Sequence, residues 1–150
     1  YPQHPFSLVL QIDTAPMAGS PELFVQMLDK IVTNATEFSP PNSKIVFALS
    51  GKSSHPKLQI INQGSALPED MQNQLFDSMV SVRSPAMPST PKTSSNTATD
   101  PHLGICLYIA RIIAEHHGGQ ISINNYPSET TEKTGKALSD ITGVAVSLTF

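Results

Sequence analysis

Within SPELFVQMLDKIVTNATEFSPPN, the residues Leu23, Met27, Leu28, Ile31, Val32 and Ala35 recur three and four positions apart. That spacing puts them on one face of a helix running from Pro21 to about Glu37. A helix of this length with a single apolar face must bury that face against another layer, which confines the chain to layered architectures. The helix ends are written locally. Ser20 can cap it, Pro21 suits the first helical position, and Glu22 sits where the helix dipole favours an anion. SPPN, from Ser39 to Asn42, stops it, because proline cannot continue the hydrogen-bond ladder.

The rest of the chain supplies a sheet for that helix. SLVLQI (Ser7 to Ile12) reads as a strand. KIVFAL (Lys44 to Leu49) and KLQII (Lys57 to Ile61) read as two more, joined by a polar GKSSHP loop. NQGSALPED turns into a short helix over Glu69 to Asp77. HLGICLYIARIIAEHHGG then reads as a second long helix to about His117, with Gly118 and Gly119 as its stop. Gln120 to Asn124 and Val144 to Phe150 are the last strands, separated by a polar connection. The order β-α-β-β-α-β predicts an α/β fold, a two-layer sandwich of a mixed sheet with helices on one face. Residues 1–150 read as one domain. Between Ser84 and Pro101 lie four prolines, many Ser and Thr and almost nothing to bury. Such a stretch in a compact domain reads as a lid or binding loop, spanning about 83–102.

Composition narrows the functional classes. A net charge of −3 offers no basic field for nucleic acid or an anionic membrane. One cysteine, Cys106, excludes an internal disulfide framework and fits a reducing compartment. The longest apolar run, Ile105 to Ala114, carries Arg111 and is too short for a membrane span. No signal peptide opens the chain. Its first residues enter a strand almost at once and its last stop inside one, so it reads as a domain cut from a longer protein.

Several polar positions stand out from this frame. Gln26, Lys30, Asn34 and Glu37 form a second stripe on the first helix. Asn34 is a poor helix former in a helix interior, and its carboxamide oxygen suits Mg²⁺, which takes few protein ligands beside phosphate and water. A plain solvated face is the alternative. Asn62 offers an acceptor and a donor to the edge of a purine, and Gly64 lets the backbone approach a flat ligand; an ordinary Asn-Gly-type turn is the alternative. Gly104 lies where the lid-like loop meets the last helix, whose free N–H groups favour an anion. His116 and His117 are adjacent and cannot share a metal from one side of a helix, so a role near the helix end fits them better. Cys106 has no catalytic base near it in sequence and reads as a packed thiol.

The order and spacing of these segments carry a resemblance. ELFVQMLDKIVTNATEFSP resembles the N box of the sensor histidine kinase ATP-binding domain. LQIINQGSALPEDMQNQLFDSM is similar to that family's G1 and F boxes, HLGICLYIARIIAEHHGGQISI to its G2 box, and GVAVSLTF to its closing strand. LDKIVTNATEFSP and LFDSMVSVRS further resemble kinases of proteobacterial dedicated-sortase systems. The resemblance implies the Bergerat ATP-binding fold of the GHKL superfamily. It implies a protein-histidine kinase catalytic domain that passes the γ-phosphoryl of Mg-ATP to a histidine on a separate dimerisation domain of the same parent, with a response regulator downstream. It also implies a cytoplasmic domain of a membrane-anchored parent, with ATP and Mg²⁺ as cofactors and no nucleic-acid partner. By position, Asn34 would hold the metal and Lys30 would lie one turn before it in the catalytic helix. Phe38 would sit beside the nucleotide. Asn62, Gly64, Ala66 and Leu67 would line the base pocket, Phe76 and Met79 would hold the lid's root, and Gly104, Ile105, Cys106 and Leu107 would form the phosphate-side turn.

The departures from the family pattern define the alternative. Asn62 stands where aspartate is usual, so its bond to an adenine amino group lacks charge assistance. Ala66, Cys106 and His102 stand where glycines are usual, Val144 replaces a threonine, and Glu37 stands where a cation often meets phosphate. Lys30 stands where gyrase-like ATPases place a water-activating glutamate; a lysine cannot be that carboxylate base, which argues against a hydrolase. Phosphoryl transfer to histidine asks mainly for positioning and charge neutralisation. The second reading is a degenerate nucleotide-binding or regulatory module with weak or no kinase activity.

Overall fold

The computed structural model describes residues 3–72, 74–77, 105–126 and 142–150. Five strands form one sheet: β1 (Phe6–Leu10), β2 (Ile45–Lys52), β3 (His55–Gln63), β4 (Gln120–Tyr126) and β5 (Gly143–Thr149). Their spatial order is β1-β2-β3-β5-β4. β1 runs parallel to β2, and the other neighbours are antiparallel. The mixed sheet is therefore the one expected from the order of elements. The helices are α1 (Pro21–Glu37), the short α2 (Glu69–Gln72) and α3 (Ile105–His116).

Helix α1 begins and ends as its sequence dictates. The Ser20 hydroxyl oxygen accepts from Leu23 N–H at 3.3 Å, Pro21 follows it, and the same hydroxyl donates to Glu22 at 2.8 Å. The helix closes at Phe38, whose N–H donates to the Asn34 carbonyl at 3.2 Å. At the end of α3, Gly118 takes φ +73°, and the Gly118 and Gly119 N–H groups donate to the carbonyls of Glu115 and Ala114. That is the paired hydrogen-bond pattern of a left-handed helix stop.

Strand parity decides which residues meet the helices. Ile45, Ile60, Val144, Val146, Leu148 and Ile123 share one core cluster with Met27, Ile31 and Ala35 of α1 and Leu107, Ala110 and Ile113 of α3. Alternate residues Val46, Ile61, Ala145 and Tyr126 form a smaller cluster on the opposite face. Met27 and Ile31 are fully buried. Cutting either to alanine is expected to cost about 2–5 kcal/mol, the range for such truncations in a packed core.

Four expectations need correction. The first strand, β1, spans Phe6–Leu10 and not Ser7 to Ile12. The GKSSHP segment is mostly ladder rather than loop, because Gly51 pairs with Pro56 and Lys52 with His55, leaving Ser53 and Ser54 to turn. Polar side chains there conceal a backbone that pairs although Pro56 lacks an N–H to donate. The single short helix expected over Glu69 to Asp77 is instead α2 followed by a 3-10 turn at Gln74–Phe76, with Leu75 and Phe76 buried. The strands after α3 are also longer or shifted: β4 runs on to Tyr126 and β5 starts at Gly143. The lid over 83–102, together with His102, Gly104 and Met79, lies outside the described residues. No described helix is long and apolar enough to cross a membrane.

Candidate functional site

The sheet register lines up a row of residues on the helix-facing side. Ile45 of β2 is opposite Asn62 of β3, Asn62 is opposite Val144 of β5, and Val144 is opposite Asn125 of β4. Two carboxamides thus flank a valine near one end of an otherwise apolar face. Asn62 is only 5% exposed. Its Nδ2 donates to the Gln63 carbonyl at 3.1 Å. A carbonyl can only accept, so the nitrogen of the amide is committed there and the oxygen is left as the acceptor for a ligand.

The chain leaves β3 through Gln63 and immediately meets the end of α1. A side chain added at Gly64 would come within 3.0 Å of the Phe38 carbonyl and 3.6 Å of Asn62 Nδ2. Gly64 is therefore where the loop slips between α1 and the sheet. Phe38 itself is 56% exposed. Ala66 is exposed, so the methyl it adds takes no buried space, whereas Leu67 packs partly buried against the core. Leu67 is fixed by an unexpected residue. Its N–H donates to Asn125 Oδ1 at 2.7 Å, and its carbonyl accepts from Asn125 Nδ2 at 2.9 Å.

Lys30 and Asn34 are both half-buried, one turn apart on α1, and so share a face. The Asn34 carboxamide makes no hydrogen bond among the described residues. A half-buried, uncommitted carboxamide fits a cation such as Mg²⁺ that brings its own phosphate and water ligands. The described residues contain no cluster of three or more His, Cys, Asp or Glu side chains able to hold a metal alone.

The start of α3 packs near this half of α1. Ile105 is exposed, Cys106 half-buried and Leu107 part of the core. Burial raises the Cys106 pKa above its ordinary value. Lys30 pulls it down, and Glu37 and Asp29 push it up again. The charged second half of α1 and the first turn of α3 are therefore neighbours. Gly64 thus lies against both Phe38 and Asn62, Cys106 lies within electrostatic reach of Lys30 one turn before Asn34, and Gly104 falls outside the described residues.

Sequence reasoning missed Asn125 and Gly143 as supports of this arrangement, and it placed His117 near the helix end without its partner on α1. Asn125 is signalled by parity, being the polar member of the Ile121–Ile123–Asn125 face. His117 closes the far end of the helix pair. Gly143 lies against the β3 backbone: a side chain there would sit 1.9 Å from the Asn62 carbonyl oxygen. Nothing local in the sequence distinguishes Gly143 from a loop glycine.

The fold and these positions define a class, a one-sided α/β sandwich with its polar candidates at the end of the first helix. Residues 19–144 match the family described as histidine kinase-, DNA gyrase B-, and HSP90-like ATPase, and the chain belongs to that family. It is 28% identical over 127 residues to the heme sensor protein HssS of Staphylococcus haemolyticus, a match covering 85% of this chain and 25% of HssS. The chain thus spans about a quarter of that relative's length. The nucleotide-free catalytic domain of histidine kinase ThkA superposes with a TM-score of 0.70 at 18% identity, over 98% of this chain and 79% of that one. ThkA in complex with the response regulator protein TrrA gives a TM-score of 0.67 at 19% identity, over 98% of this chain and 34% of that one. These superpositions establish the shared fold of histidine kinase catalytic domains.

Proposed function

We propose that this chain is the ATP-binding catalytic domain of a sensor histidine kinase, which delivers the γ-phosphoryl group of Mg-ATP to a histidine on a separate dimerisation domain of its parent. The observation that carries the reading is the pair of uncommitted amide oxygens, on Asn34 and Asn62, on the two elements that Gly64 brings together. The adenine amino group donates to Asn62 Oδ1, the base lies along the loop from Gly64 through Ala66 to Leu67, and Phe38 lies beside it. Asn34 holds Mg²⁺, which when bound neutralises charge on the phosphate oxygens during transfer. Lys30 adds a cation one turn away, and the N–H groups of Ile105, Cys106 and Leu107 in the first turn of α3 receive the phosphates, together with Gly104, which precedes them in sequence. The domain's contribution is positioning and electrostatics, with no covalent step of its own. The parent is a membrane-anchored sensor with this domain in the cytoplasm, and a response regulator receives the phosphoryl group from the histidine.

Calorimetric titration with Mg-ATP tests the reading. Saturable binding whose Mg²⁺-dependent part Asn34→Ala abolishes supports it. Absence of binding into the millimolar range ends it in favour of the second reading, a regulatory module without nucleotide. Glu37 favours that second reading, because an exposed acid on the same half of α1 as Asn34 repels a triphosphate.

A further inference from the structure

Leu67 lies between β3 and α2, outside any strand, yet both its main-chain groups are bonded by one side chain. The Asn125 carboxamide offers an acceptor and a donor side by side, so it serves Leu67 as a neighbouring strand would. Its orientation follows from chemistry: Leu67 N–H can only donate and Leu67 C=O can only accept, so one of the two amide rotations satisfies both. Among the described residues, the other main-chain bond from the start of this loop to its surroundings is weaker, with Gly64 N–H donating to the Thr142 carbonyl at 3.4 Å. The loop therefore hangs on Asn125. The same residue shares a row of the sheet with Asn62, separated by Val144 alone.

We propose that Asn125 is a positioning residue that sets the base end of the site, holding the Gly64–Leu67 loop at the height of Asn62 before any nucleotide arrives. The proposal rests on the reading of that loop as the base-contacting segment. Preorganisation of this kind raises affinity by removing the cost of ordering a loop on binding. Because both partners of the clamp are uncharged, it holds at any pH at which the fold persists. The effect falls on the base: the hydrogen bonds of the Asn125 side chain among the described residues both go to Leu67, whereas the phosphate contacts of the proposed function lie on α1 and α3.

The test uses the whole chain and two variants. Asn125→Leu removes both bonds while keeping bulk, and Asn125→Asp keeps an acceptor for Leu67 N–H but sets an oxygen against the Leu67 carbonyl. Thermal unfolding establishes that each is folded. Three quantities are then read: the hydrogen-exchange protection of the Leu67 amide without nucleotide, the Kd for ATP and the Kd for inorganic tripolyphosphate with Mg²⁺. Expected are loss of Leu67 protection and a Kd for ATP raised about tenfold or more in Asn125→Leu, with tripolyphosphate affinity unchanged. Asn125→Asp is expected to fall between Asn125→Leu and wild type. A folded Asn125→Leu that binds ATP like wild type, or that weakens ATP and tripolyphosphate equally, overturns the proposal. Failure of the wild type to bind ATP overturns the underlying nucleotide reading and is seen before any variant is made.

Discussion

The His117 ring ties the end of α3 to the start of α1 by accepting from the Ser20 N–H through Nε2 at 3.1 Å. Its other nitrogen, Nδ1, lies 2.7 Å from the Ile113 carbonyl, which can only accept, so Nδ1 carries the proton. One neutral tautomer satisfies both bonds. The Ser20 carbonyl lies 3.3 Å from Nε2, where only a ring protonated on both nitrogens would donate to it. The Cδ2–Nε2 edge of the ring also lies close against Gly19: a side chain there would come within 2.0 Å of His117 Cδ2 and 2.5 Å of Nε2. Gly19-Ser20 is thus a docking edge for the histidine as well as a helix cap.

That contact predicts a non-additive pair. Gly19→Ala forces the ring aside and is expected to cost about 1–3 kcal/mol, the range for overpacking a close contact. His117→Ala loses the bonds to Ser20 and Ile113 and is expected to cost about 1–2 kcal/mol. The double variant should cost clearly less than the sum, because removing the ring removes the three atoms nearest the added methyl and leaves the strain of a φ of +157° in both Gly19→Ala chains. Urea unfolding of all four proteins reads the cycle. Additive costs would show that ring and glycine do not meet.

Cys106 gives a prediction with a sign. Burial holds its pKa above the ordinary value of 9.0, with Lys30 opposing and Glu37 and Asp29 reinforcing the rise. The folded state therefore favours the thiol. Its stabilising effect is complete below the unfolded value and is lost as pH rises through the higher folded value. Alkylation by iodoacetamide, which needs the thiolate, should be slower in the folded chain than in the unfolded one at the same pH. Lys30→Met should slow it further and Glu37→Gln should speed it. If Lys30→Met accelerates the reaction instead, the two groups are not neighbours across α1 and α3.

Gly143 yields a structural test of the base end. It pairs with Gln63 on one side and Tyr126 on the other. A methyl there would press on the Asn62 carbonyl, which is backbone and cannot swing away. Gly143→Ala should cost about 2 kcal/mol or more, as overpacking against a rigid neighbour does, and should weaken ATP binding. The equivalent change at Gly118, where nothing lies within 4 Å of the added carbon, should act only through its φ of +73° and leave ATP affinity alone. Unfolding curves and ATP titrations on both variants separate the two. Equal loss of ATP affinity at both positions would place the nucleotide away from the β3–β5 end.

The sequence made the architecture legible because each long element carries its own signals. The 3.6-residue stripe of α1, the Ser20-Pro21 cap, SPPN and the glycines after α3 agree with one another, and the structure follows them within a residue or so. Legibility failed where the backbone rather than the side chains decides. Lys52 and His55 are in the ladder although nothing apolar marks them, and Gly143 was assigned to a connection because its requirement is a close approach from a strand 80 residues away. The candidate site was readable at Asn34, Asn62 and Gly64, whose residue types are unusual for their places. Parity marks Asn125 and position marks His117 as a helix-end residue, but their partners were not readable, because each acts on the main chain of a segment 58 or 97 positions off and no local pattern announces it.

Asn34 and Lys30 should divide the work at the phosphate end, and the division can be measured. Both are half-buried on one face of α1, but only Asn34 offers an oxygen to a cation. Asn34→Ala should remove the difference between ATP affinity measured with Mg²⁺ and with EDTA, because the metal then has no protein ligand on α1. Lys30→Met should weaken ATP by about tenfold in both conditions, the effect of losing roughly 1.4 kcal/mol of charge attraction, while leaving adenosine affinity unchanged. The near-isosteric Asn34→Asp should strengthen the Mg²⁺ dependence and weaken binding in EDTA, since a carboxylate attracts the metal but repels bare phosphate. Calorimetry in the two buffers gives all these quantities. A Mg²⁺ dependence that survives Asn34→Ala would assign the metal to some other oxygen, and Asn34 would revert to a residue of an ordinary wet helix face.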